Sequence, residues 1–198
     1  MVPAIDLIDL WMLARIHPSA PSGALDDAMV VVTTLGSGWM LLALIPSLLM
    51  RRTRRAATSL LCAVLVTATL VFALKRAVGR VRPCNAALSI APVVIEAPTD
   101  PSFPSGHAGG TFTVAGFLLV ALRRRRAAWS SARVLATAAS LGALAGSIGL
   151  SRVYLGVHFP SDVAAGALLG LTIGALAARR ALGDLSAPEA ERAAIARA

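Results

Sequence analysis

The sequence predicts an all-α fold: a polytopic transmembrane helical bundle with five spans and an N-terminal helix lying at the membrane interface. Three observations carry this. Of the 198 residues, 57% are hydrophobic and only 15% are charged, against ~25% charged in an ordinary soluble domain. The apolar residues gather into runs of spanning or near-spanning length. Arginine clusters alternate with those runs, as topology-setting charges do.

Residues 3–16 predict a short helix, with Ile5, Ile8, Met12 and Ile16 on one face and Trp11 widening it. Asp6, Asp9 and Arg15 make it too polar for a span and Pro18 ends it, so it is expected at the interface. It lacks the basic start and small-residue cleavage site of a targeting peptide. Runs 29–50 and 56–74 are the first two spans. Runs 109–122, 134–150 and 163–178 are the other three. These last three fall short of the ~20 residues that cross a bilayer core. Polar residues at their ends and snorkelling arginines complete them.

Arg51, Arg52, Arg54 and Arg55 follow the first span, Arg123, Arg124, Arg125 and Arg126 the third, and Arg179 and Arg180 the fifth. All three clusters fall on one side, which the positive-inside rule assigns to the cytoplasm. The N-terminus and segments 75–108 and 151–162 are then outside. The outer N-terminal region carries Asp6, Asp9, Asp26 and Asp27 with Arg15 alone opposing them. The chain divides into an N-terminal segment 1–28, a membrane domain 29–180 and a polar cytoplasmic tail 181–198. The net charge of +9 lies mostly between apolar runs, so it implies a lipid bilayer and no nucleic-acid partner. Cys62 and Cys84 have no metal-ligand spacing and read as two unpaired thiols.

Lys75, Arg76, Arg80, Arg82 and Arg152 lie in the outer segments, against the topological bias. Another requirement must hold them there. Three polar groups of residues interrupt the apolar pattern on that side: Lys75 to Pro83, Pro104-Ser105-Gly106-His107, and Ser151-Arg152 followed by His158 and Asp162. A phosphoryl group carries roughly −1.5 to −2 charge. Lys75, Arg82 and Arg152 could neutralise it, arginine offering a donor fork that matches phosphate. Ser105 and the backbone around Gly106, at a helix start, could add hydrogen bonds and a favourable dipole. His158 and Asp162, four apart, would share a helical face. The carboxylate could fix one imidazole nitrogen and leave the other free to attack. His107 could protonate the leaving oxygen, which gives the two-sided arrangement of in-line displacement. Each piece alone reads as an interfacial anchor, a helix-start turn or a surface pair; together on one face they read as a site.

These residues resemble the type 2 phosphatidic acid phosphatase superfamily, whose signature is K-x6-RP, PSGH and SR-x5-H-x3-D. Lys75, Arg82 and Pro83 match the first part, Pro104 to His107 the second, and Ser151, Arg152, His158 and Asp162 the third. The resemblance spans roughly residues 29–178. It implies His158 as the nucleophile that forms a phosphohistidine, Asp162 as its orienting partner and His107 as the general acid. It also implies Lys75, Arg82, Ser105, Gly106 and Arg152 as the phosphate cradle. The cations already supply the charge that Mg²⁺ provides in many phosphoryl-transfer sites, so no metal and no cofactor is expected. Small bacterial members act on undecaprenyl diphosphate, phosphatidylglycerol phosphate, phosphatidate or lipid A phosphates. The motifs read phosphate and not the lipid. By analogy the expected substrate is undecaprenyl diphosphate, in a bacterial plasma membrane with the site facing the periplasm or outside.

Four other readings compete. An intramembrane serine protease could use Ser105, but peptide hydrolysis leaves the three cations unexplained. A zinc site on His107, His158 and Asp162 would be repelled by those cations. A vanadate haloperoxidase does not need spanning helices. A non-enzymatic transport or binding protein is separated from a phosphatase by phosphate release from lipid.

Overall fold

The computed structural model describes residues 4–20, 23–86, 96–123 and 128–183, and among these there is no strand. The α-helices are α1 (Ala4–Ile16), α2 (Ala24–Leu35), α3 (Ile45–Leu49), α4 (Arg51–Val78), α5 (Gly106–Arg123), α6 (Ser131–Tyr154) and α7 (Pro160–Leu182). Short 3-10 helices lie at Gly38–Leu44 and Pro83–Asn85. Among the described residues, the three segments Arg51–Asn85, Ser131–Tyr154 and Pro160–Leu182 are long and apolar enough to cross a membrane. Leu65, Val66 and Phe72 on α4, Leu135 on α6 and Leu168 on α7 are more than half or close to half exposed. So much apolar surface is a liability in water and the ordinary outer face of a bundle in lipid.

α5 is the inner helix. Its Ala108, Thr113, Ala115, Phe117 and Val120 are all buried. Lipid tails give no hydrophobic drive between helices, so close backbone approach must hold them together. α7 supplies it with Gly166, Gly170 and Gly174, one turn apart. A Cβ at each would collide with the backbone carbonyl of Ser105, just before α5, or of Gly109 or Thr113 on α5. α4 joins through Thr67 and Thr113, whose hydroxyls are 2.8 Å apart in the buried interior. This packing brings the end of α4, the start of α5, the end of α6 and the start of α7 to one end of the bundle. Arg51 to Arg55, Arg123, Arg179 and Arg180 lie at the other end of these helices.

The structure departs from the sequence reading in places. Run 29–50, expected as one span, is three pieces: α2 stops at Leu35, a 3-10 helix covers Gly38–Leu44, and α3 follows. Gly36-Ser37-Gly38 are weak helix formers, Ser37 is extended at φ −84, ψ 168, and Pro46 sits in the first turn of α3. Hydropathy registers the apolar run and not these breaks. α2 begins at Ala24, so the boundary placed between 28 and 29 falls inside it. α1 matches the expected N-terminal helix, but its inward face is Asp9 and Leu13, while Ile8 and Trp11 are exposed. α7 runs to Leu182, into the stretch assigned to the tail. The side chains of Ile5 and Asp6, Arg124, Arg125 and Arg126, and tail residues 184–198 lie outside the described residues. Cys62 and Cys84 are free thiols.

Candidate active site

Lys75 sits in the last turn of α4 and is followed by a helix stop at Gly79, whose φ of +63 suits a residue without a Cβ. Beyond that stop the chain extends, which frees Arg80 and Arg82 from the helix. Lys75 Nζ donates to Asp100 Oδ2 at 2.7 Å and to the Pro101 carbonyl. Arg82 is 4% exposed and is gripped along its length. Nε donates to the Asp100 carbonyl and Nη2 to Asp100 Oδ1, both at 2.8 Å. Nη1 donates to the Val157 carbonyl at 2.8 Å and lies 3.1 Å from His158 Nε2. Asp100 therefore bridges the two cations of the first motif.

His158 is in the turn between α6 and α7. Gly156, at φ +73, makes the turn, and the N–H groups of Val157 and His158 both donate to the Arg152 carbonyl at 3.2 Å. An arginine only donates, so His158 Nε2 accepts from Arg82 and the proton of the neutral ring is on Nδ1. Nδ1 faces Asp162 Oδ2 and Ser102 Oγ, each 3.5 Å away. Asp162, at the third position of α7, reaches back to the Phe159 N–H at 2.8 Å, a capping carboxylate at a helix N-terminus. It also accepts from Ser102 Oγ, and from Arg80 Nη1 at 2.8 Å. The His158–Asp162 pair thus does not lie on one helical face as the spacing suggested. The histidine precedes the helix and the carboxylate caps it. Burial pushes the His158 imidazole down to about 4; the Asp162 hydrogen bond opposes this and the Arg82 and Arg152 charges add to it. The ring is neutral at pH 7.

Arg152, in the last turn of α6, is 6% exposed. Its Nη1 donates to Thr33 Oγ1 of α2 at 2.7 Å. Its Nε is buried with no hydrogen-bond partner, and among the described residues it is the one such side-chain atom. His107, in the first turn of α5, is half-buried and within electrostatic reach of Arg152, His158, Arg82 and Lys75. Ser105 is fully buried, with its N–H on the Asp162 carbonyl at 2.9 Å, and Gly106 beside it is exposed. The three motifs thus meet at one end of the bundle: Arg82 touches His158, Lys75 is joined to Arg82 through Asp100, and Ser105 bonds to Asp162.

Four residues around this cluster were not read as site residues from the sequence: Asp9, Arg80, Asp100 and Ser102. Arg80 was visible as a cation against the topological bias, and Asp9 as part of the outer acidic asymmetry. Asp100 and Ser102 gave no signal, since they precede the PSGH motif in irregular chain. Asp100 is held below the ordinary carboxylate range: partial burial pushes it up, but the Lys75 hydrogen bond and the Arg82 charge outweigh that.

A cavity of about 560 Å³ opens beside the cluster. Leu44, Val64, Val71, Phe72, Val114 and Ile148 line it, and Lys75 and Gly106 stand on its wall. An apolar cleft with few polar groups is the usual form of a small-molecule site.

The family model for the PAP2 superfamily matches residues 56–182, well over half of the chain. The decaprenylphosphoryl-5-phosphoribose phosphatase of Mycobacterium tuberculosis is 37% identical over 139 residues, 70% of this chain and 69% of its own. The undecaprenyl-diphosphatase of Sulfolobus acidocaldarius is 30% identical over 82% of this chain and 72% of its own. A transmembrane PAP2-type phosphatidylglycerolphosphate phosphatase from Bacillus subtilis superposes with a TM-score of 0.66 at 29% identity, covering 88% of this chain and 92% of that one. The three motifs, the lipid-facing helices and these similarities converge: the chain belongs to the PAP2 superfamily and is an integral membrane phosphatase.

Proposed function

We propose that this enzyme hydrolyses a phosphate or diphosphate carried on a polyprenyl lipid, through a phosphohistidine at His158. The observation that carries this is the unpartnered, buried Nε of Arg152, whose guanidinium is within electrostatic reach of Arg82 and His158. A buried donor without a partner is costly, and a phosphate oxygen would satisfy it. Lys75, Arg82 and Arg152 would hold the phosphoryl oxygens, with Ser105 and the backbone at Gly106 completing the cradle. His158 Nε2 would attack phosphorus as the bond to the leaving oxygen breaks. Burial and the Arg152 charge push the His107 imidazole down to about 3, so it would take up a proton from solvent as the anionic substrate binds and pass it to the leaving oxygen. Water would then cleave the N–P bond, giving its proton to His107 and releasing inorganic phosphate. Asp162 would hold the Nδ1 proton throughout, steadying the ring as it takes on positive charge. The cations already supply the charge that a metal provides in many phosphoryl-transfer sites, so no divalent ion is required.

The apolar cavity adjoining Lys75 and Gly106 suits a lipid chain entering from the bilayer. Undecaprenyl diphosphate is the substrate favoured here, and the similarity to two enzymes named for polyprenyl substrates supports that class. Phosphatidylglycerol phosphate, phosphatidate and lipid A phosphates are the alternatives. In this reading the chain crosses the membrane five times, counting the broken run 29–50 as one crossing. α1 lies at the interface within segment 1–28, the membrane domain assigned to 29–180 extends to the ends of α2 and α7 that cross those bounds, and the remainder of 181–198 is a cytoplasmic tail. The arginine-rich end is cytoplasmic and the site faces outward.

The test is phosphate release by the purified protein in EDTA, across undecaprenyl diphosphate, a decaprenyl-linked phosphoribose phosphate, phosphatidylglycerol phosphate, phosphatidate and a lipid A phosphate. The expected result is release that EDTA does not diminish, fastest on a polyprenyl substrate. Faster release from a glycerolipid contradicts the substrate class. Loss of release in EDTA that Mg²⁺ or Zn²⁺ restores contradicts the metal-free mechanism.

A further inference from the structure

Asp9 belongs to α1, outside the residues that the family model matches, yet it is built into the site. It is 2% exposed. Its Oδ1 accepts the Ser161 N–H at 2.9 Å, and its Oδ2 accepts from Arg80 Nη2 at 2.7 Å and from the Ser161 hydroxyl. The other arm of the same guanidinium donates to Asp162 Oδ1 at 2.8 Å and to Ser161 Oγ at 2.7 Å. Arg80 also stacks over Phe159, with 4.1 Å from its guanidinium carbon to the ring centroid. One arginine is thus clamped between a carboxylate from the N-terminal helix and the carboxylate that faces His158.

A mere anchor for α1 would not need this. Leu13, fully buried against Val153 and Phe159, already gives the helix an apolar anchor. A buried carboxylate costs free energy unless it is fully paired, and here its pairing runs into the site. Without Asp9, more of the Arg80 charge would bear on Asp162. The guanidinium could also turn, and the Asp162 carboxylate with it. Either change would weaken the support that Asp162 gives to an imidazole gaining positive charge.

We propose that Asp9 is a positioning residue for the hydrolysis, which acts through Arg80 and Ser161 to hold the Asp162 carboxylate on His158 and to share the Arg80 charge. The N-terminal helix is then part of the catalytic apparatus and not only a membrane anchor. This rests on the reading of His158 and Asp162 given above.

The experiment compares the full chain with Asp9→Asn, Asp9→Ala, Arg80→Gln and the Asp9→Asn/Arg80→Gln double variant. Two readouts are used: turnover of undecaprenyl diphosphate in detergent micelles, and the affinity for orthovanadate followed by tryptophan fluorescence. Removal of a residue that orients a reacting ligand typically costs about 10–100-fold, and that loss is expected in kcat for Asp9→Asn, with KM within about threefold. Vanadate affinity should fall alongside. The double variant should be no worse than Arg80→Gln, because both act along one chain of contacts. Asp9→Asn keeps an acceptor for the Ser161 N–H, so it serves even where Asp9→Ala does not fold. A wild-type kcat and vanadate affinity in Asp9→Asn, a loss confined to KM, or additive losses in the double variant would each overturn the proposal. His158→Ala, run alongside, separates the two levels. Turnover surviving there overturns the reading of the site, whereas an inactive His158→Ala beside a wild-type Asp9→Asn overturns this inference alone.

Discussion

Around His158 the donors and acceptors are matched within the protein: Asp162 accepts from Phe159, Ser102 and Arg80, and Arg80 is matched in turn by Asp9. On the cation side the matching is incomplete. Lys75 and Arg82 share one carboxylate, Asp100, whose side chain is 54% exposed, and Arg152 Nε has no partner. In the proposed mechanism the difference is that between a nucleophile that must already be aimed and a cradle that must receive an anion. A nucleophile gains from fixed geometry before the substrate arrives. A cradle for an anion must keep donors spare, or hold them with an anion that can be exchanged.

The cation side should therefore give the largest loss when its unpartnered donor is removed. Arg152→Ala is expected to lower kcat by about 10²–10³, as for the loss of one preorganised oxyanion donor. Arg152→Lys should recover only part of this, since a point charge replaces a fork. Steady-state kinetics on the best lipid of the panel checks both; an Arg152→Ala enzyme within about threefold of wild type would mean that the spare donor does not meet phosphate. A smaller effect is expected at Asp100. Asp100 is itself half-exposed, which screens its pairs with the buried cations, so Asp100→Asn should change KM by only about two- to fivefold. The direction is a decrease, because a competing carboxylate has left the cations. A fall in kcat with KM unchanged would make Asp100 a fixed part of the machinery and erase the contrast between the two sides.

The matched side is sharpened by pH. His158 is held at about 4, below the ordinary imidazole value of 6.5, so the unfolded chain takes up its proton first as pH falls. Stability linked to His158 is thus present above 6.5 and is lost as pH drops from there towards 4. In ¹⁵N-histidine spectra, the resonance missing from His158→Gln should titrate near 4. A midpoint at 6.5 would mean an open, hydrated ring and a site less closed than described.

That the PSGH and SR-x5-H-x3-D residues gather with Lys75 and Arg82 at one end of the bundle was legible, because the arginine clusters mark the other end. What surrounds them was not legible, for a physical reason. Asp9, Arg80 and Ser102 touch other protein groups, and such partners depend on tertiary contacts across 60 to 82 residues of chain or more, as between Ser102 or Arg80 and Asp162. The same limit applied to the fold. α4, α6 and α7 face lipid and announce themselves by hydropathy. α5 faces its neighbours, so glycine and threonine dilute its apolar run. The break after α2 is written in Gly36-Ser37-Gly38, but an average over the run conceals it.

The central claim is that the matched side exists to aim His158 Nε2 at phosphorus, and one measurement tests it directly. The enzyme is mixed with polyprenyl diphosphate labelled with ³²P on its terminal phosphate, quenched within milliseconds in alkaline detergent, and digested for peptide mapping. The expected result is an acid-labile, base-stable label on the peptide carrying His158, formed at a rate no slower than kcat and absent from His158→Ala. Label on Ser105, or steady turnover by His158→Ala with no labelled enzyme, would contradict the account.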